Sequence, residues 1–178
     1  MDAKKTILRY IRPNIVPYII MLCIPPFFTI IGLLCLLCIY LPTSNRAKKK
    51  LERLEARGEL NRAAEELMSV NAKRLVKGKA IFTDHYVFCK GNGYIFTYGE
   101  IAWVYKHRYT QRAFFIPIRV TDSLYLATRT LKPRAVASMG KDKMNEIKNA
   151  ILEIYSHNKN CMIGYTKENA ANYKMIAK

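Results

Sequence analysis

Between Ile15 and Leu41 the chain carries twenty-seven consecutive residues without a formal charge, rich in Ile, Leu, Phe, Met and Cys. No other feature restricts the fold as strongly. A helix needs about 20 apolar residues to cross the hydrocarbon core of a bilayer. A charge at mid-bilayer costs about 3 kcal/mol or more, and this block has none to bury. A chain of 178 residues is also too small to surround a long apolar helix with protein. The block therefore reads as a single transmembrane helix over 15–41, with Tyr18 and Tyr40 near its two ends as interfacial rings. Lys48-Lys49-Lys50 follows it soon after, which argues for a retained anchor over a cleaved leader. Pro25-Pro26 predicts a kink in the span, or else a hairpin that enters one leaflet and returns.

Charge divides the rest of the chain. Of the formal net charge of +17, residues 1–14 carry +3, residues 42–79 carry +6 and residues 80–178 carry +8. The basic flank after the block is heavier than the one before it. The positive-inside rule then places the C-terminal part in the cytoplasm, and the chain has no Asn-X-Ser/Thr sequon to oppose this. Residues 42–79 are dense in helix formers and read as a basic amphipathic linker helix. Leu51, Leu54, Leu60, Ala64, Leu67 and Met68 form its interrupted apolar stripe, Ser44 or Asn45 its cap, and Gly58 a weak point. Arg46, Lys48, Lys49, Lys50, Arg53 and Arg57 are the candidate membrane-surface residues, each worth about 1 kcal/mol beside anionic lipid. Because these cations cluster beside the apolar block, nucleic acid is not an expected partner.

From Ala80 onward short aromatic and β-branched runs predict strands over 82–89, 94–98, 101–109, 113–121 and 124–130. Lys90-Gly91-Asn92-Gly93 and Asp122-Ser123 read as turns, and Pro117 predicts an edge or a bulge. Residues 132–140 read as a basic loop. Met144, Ile147, Ile151, Ile154 and Tyr155 then recur at helical spacing. A short run at 161–165 and a terminal helix over 167–177 follow. The fold class is α+β: a transmembrane helix, a charged linker helix, and a small antiparallel β domain closed by a C-terminal helix.

The Tyr98-Gly99-Glu100-Ile101-Ala102-Trp103-Val104-Tyr105 stretch resembles bacterial pleckstrin-homology-like domains, in which a Tyr-x-x-Ile-x-x-Val stretch leads into the third strand and a long helix closes the barrel. The whole chain resembles an uncharacterised family of bacterial membrane-anchored proteins that end in an Ile-Gly-Tyr-x-x-Glu-Asn segment, here Ile163 to Asn169. The resemblance implies a fold and brings no catalytic residues. Lipid-headgroup-binding pleckstrin-homology domains carry several cations at the first hairpin, whereas this chain offers only Lys90 there. Phosphoinositide recognition is accordingly not implied.

No catalytic constellation emerges. His85, His107 and His157 are scattered, and Cys35 and Cys38 lie inside the apolar block, where burial makes a thiol inert. Cys89 and Cys161 are single residues, and a disulfide between them is not expected. No phosphate-cradling glycine loop or dinucleotide fingerprint is present. No metal, cofactor or catalytic residue is expected, and the many tyrosines of the β region read as packing. The expected function is that of a membrane-anchored, non-enzymatic adaptor presenting its domain to an unknown protein partner. Direct binding of anionic lipid by the linker helix and domain is the alternative.

Overall fold

In a computed structural model, residues 2–22, 33–142 and 144–177 are described. By internal contacts the chain divides into two units. The first is Met1–Ser69 with Cys89–Ile95; the second is Val70–Phe88 with Phe96–Lys178.

The first unit is helical. Helix α1 (Ala3–Ile11) starts where the Asp2 carboxylate accepts the amides of Lys4 and Lys5 at 3.1 and 3.3 Å, a local N-cap. Ile7 and Ile11, one turn apart, are its fully buried face. Pro13 follows directly, and a residue before proline disfavours helix, so α1 stops at Arg12. Helix α2 (Val16–Leu22) has Pro17 in its first turn, where a missing amide costs nothing. Residues 33–35 lead into a π-helical turn, Leu36–Tyr40, and then α3 (Leu41–Ala56). Pro42 explains the π turn. It offers no N–H to Cys38 and crowds that carbonyl, and the Leu41 amide reaches back five residues to Leu36 O instead. Ser44, Ala47, Leu51 and Leu54 form one buried stripe along α3. Gly58, at φ +70°, ends that helix, and α4 (Leu60–Met68) begins anew with Ala63, Ala64 and Leu67 buried. The single linker helix is thus two helices, and Ser44 and Asn45 lie inside the first of them.

The transmembrane helix expected over 15–41 is not found. Among the described residues no helix is long and apolar enough to cross a membrane. The rings of Tyr18 and Tyr40 lie 6.1 Å apart, whereas a continuous helix would separate residues 22 positions apart by about 33 Å. The two ends of the uncharged block are therefore side by side. Counting apolar residues measures length and cannot see this contact. The single-pass assignment, and the membrane localisation with a cytoplasmic C-terminal part that rested on it, are withdrawn. Pro25-Pro26, where the kink or hairpin was expected, lies outside the described residues.

The second unit is built on two four-stranded sheets. β1 (Lys73–Leu75), β2 (Ala80–Phe82), β3 (Tyr86–Cys89) and β4 (Tyr94–Thr97) each lie beside their chain neighbour. The turn Lys90–Gly93 between β3 and β4 belongs to the helical unit, together with the ends of both strands. There Gly93 donates its amide to Ile11 O at 3.1 Å, and a Cβ on it would stand 2.5 Å from Thr43 O. β5 (Ile101–Ala113) and β6 (Ile116–Thr128) form a long antiparallel hairpin, and β7 (Arg134–Met139) pairs antiparallel with β6. Helix α5 (Glu146–His157) follows, burying Ile147, Ala150 and Ile154. The basic loop expected over 132–140 is mostly β7, and Asp122-Ser123, expected as a turn, is mid-strand.

β8 (Met162–Ile163) lies parallel to β5, and helix α6 (Lys167–Ile176) ends the fold. The tail is tied by named bonds. Trp103 Nε1 donates to Gly164 O at 2.8 Å, and the Gly164 amide donates to Val104 O at 2.9 Å. The Asn169 side-chain amide spans Ile163 O and Gly164 O, while Thr166 caps α6. The Tyr173 hydroxyl is shared between Thr128 O and Leu131 O. The Ile-Gly-Tyr-x-x-Glu-Asn segment is in this way a docking device for the chain's own C-terminus.

Candidate functional site

The β5–β6 hairpin is much longer than the sheet that holds it. β7 accompanies β6 only over Asp122–Leu126, and β8 accompanies β5 only at Trp103 and Val104. Beyond the Arg108–Asp122 pair the two strands are, among the described residues, paired only with each other, out to Ala113 opposite Ile116. At about 3.3 Å per residue this makes a two-stranded arm about 20 Å long. A register shift after Gln111 puts Arg112 opposite Pro117, so the proline stands at an irregularity of the ladder.

The tip is Phe114-Phe115. Both residues have positive φ, +47° and +68°. A two-residue hairpin turn of the kind that matches strand twist requires this, and normally uses Asn-Gly. For an aromatic residue the left-handed region is a steric outlier. Phe114 and Phe115 are also 95% and 94% exposed, so no packing of the rings repays the strain. Ile116, Ile118 and Tyr109 extend the apolar surface down the arm. Exposed Arg112 and Arg119 are set back from the tip. An exposed apolar patch rimmed by one sign of charge, built on a strained turn, has the form of a contact surface.

The root of the arm is locked. Asp122, fully buried, receives Arg108 Nε at 2.7 Å and Arg108 Nη2 at 2.9 Å across the strands, and also the amide of Asp142 at 2.8 Å. Lys106 Nζ lies 3.3 Å from Asp122 and 3.1 Å from Asp142. Asp142 in turn accepts the amides of Glu146 and Ile147, at the start of α5. The Arg108 guanidinium holds the Asp122 carboxyl well below the usual carboxylate range, against the opposing effect of burial; the Asp142 amide and Lys106 assist. Burial pushes the Asp142 carboxyl up, but Lys106 and the two amides outweigh it and hold it low. Every oxygen of the two carboxylates accepts at least one hydrogen bond, and the cluster ties both strands at the root of the arm to the start of α5.

On the neighbouring part of β5 the aromatic rings are packed, as expected of strand tyrosines. Trp103 lies 4.5 Å from Tyr105, 5.7 Å from Tyr165 and 5.4 Å from Tyr173 by ring centroids. Burial, with the neighbouring Tyr125, Tyr165 and Tyr173, pushes the Tyr105 hydroxyl up to about 12. Tyr109 is the exception, 60% exposed on the arm.

The six cations singled out on the linker lie along α3 and its C-terminal cap. Arg46, Lys50, Arg53 and Arg57 share one face of α3 and its C-terminal cap, with Lys49 beside them and Lys48 on another side. Arg46 is used structurally: its guanidinium lies 4.5 Å over the Tyr94 ring and donates to Asn92 O at 3.2 Å. Lys90, expected as the one cation of the first hairpin, lies in the turn between β3 and β4 and over the Tyr10 ring at 5.8 Å, whereas the first hairpin, β1–β2, carries Lys73, Arg74, Lys77 and Lys79. His157 stacks on Tyr98 at 4.1 Å, and His107 tilts against Tyr125 at 5.4 Å. Burial pushes the Cys161 thiol up to about 12 and the Cys89 thiol higher still, so neither is a nucleophile at neutral pH. Among the described residues no group of three or more His, Cys, Asp or Glu is placed to hold a metal ion.

Comparison with known proteins finds no matching family, no similar curated protein and no similar solved structure. Neither the family resemblance nor the pleckstrin-homology-like resemblance is therefore identified by it, and the arm is assigned on its geometry alone.

Proposed function

We propose that the chain is a binding module that works by contact and not by chemistry, presenting the β5–β6 arm of a pleckstrin-homology-like domain to a protein partner. The observation that carries this reading is the exposed, left-handed Phe114-Phe115 turn. Antiparallel strands followed by a helix support the domain type, although the Tyr98–Tyr105 stretch leads into the fifth strand, β5, and not the third. The tip supplies aromatic anchors of the kind that dominate interfaces. Arg112 and Arg119 favour an acidic rim around the receiving pocket and steer its approach. The unaccompanied edges of the arm beyond Arg108 offer backbone groups to an added strand. The part of the β5 edge nearest the closing helices is not available for strand addition, because β8 occupies it.

One observation favours a second reading. Phe114, Phe115 and Ile116 lie at the tip and Arg112 and Arg119 behind them, the order in which an element enters an anionic lipid surface. This requires no spanning helix. A photoreactive p-benzoylphenylalanine at Phe115 in the full chain, produced in its own host cells, separates the readings. The first predicts a discrete protein adduct at position 115 that is missing when the probe replaces exposed Lys132. Lipid adducts in its place support the second reading. Equal labelling from both positions, or none from either, removes the arm as a recognition element.

A further inference from the structure

We propose that the groove along α1 is a binding site for a phosphate group, held by Lys5, Arg9 and Arg12. The groove is lined by Asp2, Lys4, Lys5, Leu8, Arg9 and Arg12. Lys5, Arg9 and Arg12 stand at i, i+4 and i+7, which places them on one side of the helix, with the fully buried Ile7 and Ile11 directed elsewhere. Two of the six lining groups are already used. The Asp2 carboxylate caps the helix by accepting the amides of Lys4 and Lys5, and Lys4 Nζ is bonded to Glu55 at 2.7 Å. Three cations remain.

The deciding observation is at Arg12. Its Nε is buried and has no hydrogen-bond partner among the described residues. A guanidinium N–H withdrawn from water without a protein acceptor is costly, and a bound water, ion or ligand acceptor relieves that cost. Arg12 is also the residue at which α1 ends, so its position is fixed by the helix stop at Pro13. The ligand must therefore bring acceptor oxygens and more than one negative charge. A carboxylate would leave two of the three cations unbalanced. A phosphate group brings several oxygens in the geometry that guanidinium forks match. This site belongs to the helical unit and is independent of the arm.

The phosphate can be that of a small molecule or of a lipid headgroup. The chain passes from the groove through Pro13-Asn14 and exposed Ile15 into α2, where Val16, Ile19 and Ile20 are exposed, and a headgroup beside apolar surface would suit that sequence. Two titrations of the full chain distinguish the sources. In the first, the Arg Nε–Hε resonances are followed by NMR as inorganic phosphate replaces chloride at constant ionic strength. In the second, vesicles of phosphatidylglycerol are compared with vesicles of phosphatidylcholine. Saturable movement of the Arg12 Nε–Hε signal with inorganic phosphate assigns a free phosphate. Binding to phosphatidylglycerol vesicles without such movement assigns a headgroup. In either case Arg12→Lys, which keeps the charge and loses Nε, weakens binding at least tenfold, as does Arg9→Gln on the exposed side. Lys48→Gln, a change of equal charge outside the groove, leaves it within twofold. No response to either titration, or equal weakening by Lys48→Gln and Arg9→Gln, overturns the proposal. Arg9 is exposed, so its variant folds even where Arg12 variants do not.

Discussion

Two short turns of this molecule answer the same geometric demand in opposite ways. The β3–β4 turn uses Gly91 and Gly93 to take positive φ, and it is packed: Gly93 sits against the backbone of α3 so closely that no side chain fits. The β5–β6 turn takes positive φ with two phenylalanines and is exposed on every side. In the first, the residue type follows from local conformation and packing together. In the second, the residue type opposes the local conformation and nothing in the fold compensates. Such strain persists when the side chains serve something outside the turn.

The largest expected effect tests the packed turn. Gly93→Ala adds a methyl at φ +67°, 2.5 Å from Thr43 O and 3.3 Å from the Ala47 amide. These are helix backbone atoms and do not move aside cheaply. Left-handed strain alone costs about 1–2 kcal/mol; with the clash the loss should reach about 3 kcal/mol or more. A chemical-denaturation midpoint that moves by less than a third of this would show that the turn is not seated as described.

Next in size is the anchor of the exposed arm. Asp122→Asn keeps the shape but removes the charge that Arg108 and Lys106 share. Deleting one partner of a buried pair costs about 3–5 kcal/mol; with Arg108 half-exposed, screening reduces this, and about 2 kcal/mol is expected. The pH dependence has a definite sign. The folded Asp122 carboxyl titrates below its unfolded value of about 3.9. Its contribution is therefore complete above that value and is lost as pH falls through the lower, folded one. The wild-type chain should lose stability below about pH 4, and the Asn variant should lose less there. Parallel acid limbs for the two proteins would contradict the assignment.

The same residues show what was legible in the sequence. The Gly-Asn-Gly turn, the strand at Tyr94, the helix carrying Ile147 and Ile154, and the tail helix follow from local chemistry and period, and the structure has them where local rules apply. The arm was misplaced for a local reason. Asp122-Ser123 has turn chemistry, and Phe114-Phe115 has strand chemistry. Their true roles depend on Arg108, fourteen residues before Asp122, and on the near-complete exposure of the tip. Likewise, twenty-seven uncharged residues satisfied a rule about length, while the meeting of Tyr18 with Tyr40 is a tertiary fact. The candidate site was invisible because its signal is a mismatch between residue type and φ, and φ is not in the sequence.

A smaller effect, of opposite sign, sharpens the comparison. Replacing Phe114-Phe115 by Asn-Gly gives the arm the turn residues its geometry prefers. Both phenylalanines are almost wholly exposed, so no core contact is lost. The double variant should be more stable than wild type by about 1–2 kcal/mol. Photo-crosslinking from a probe at neighbouring Ile116 should disappear in the same protein. A double variant that is destabilised would mean that the rings are packed, and the arm would lose its claim to be a contact surface.

The smallest change compares two glycines of a single turn. Gly91 has φ +74°, close to the +67° of Gly93, but a Cβ added there meets nothing within 4 Å. Gly91→Ala therefore isolates the conformational cost, about 1 kcal/mol, from the steric one. Part of even this is offset, because alanine also restricts the unfolded chain. The difference between the two alanine variants, read from matched denaturation curves, measures how tightly the turn is seated against α3 and nothing else. Equal losses would mean that positive φ alone accounts for both glycines. The contrast between a turn held by packing and a turn held against its own preference would then rest on Phe114 and Phe115 by themselves.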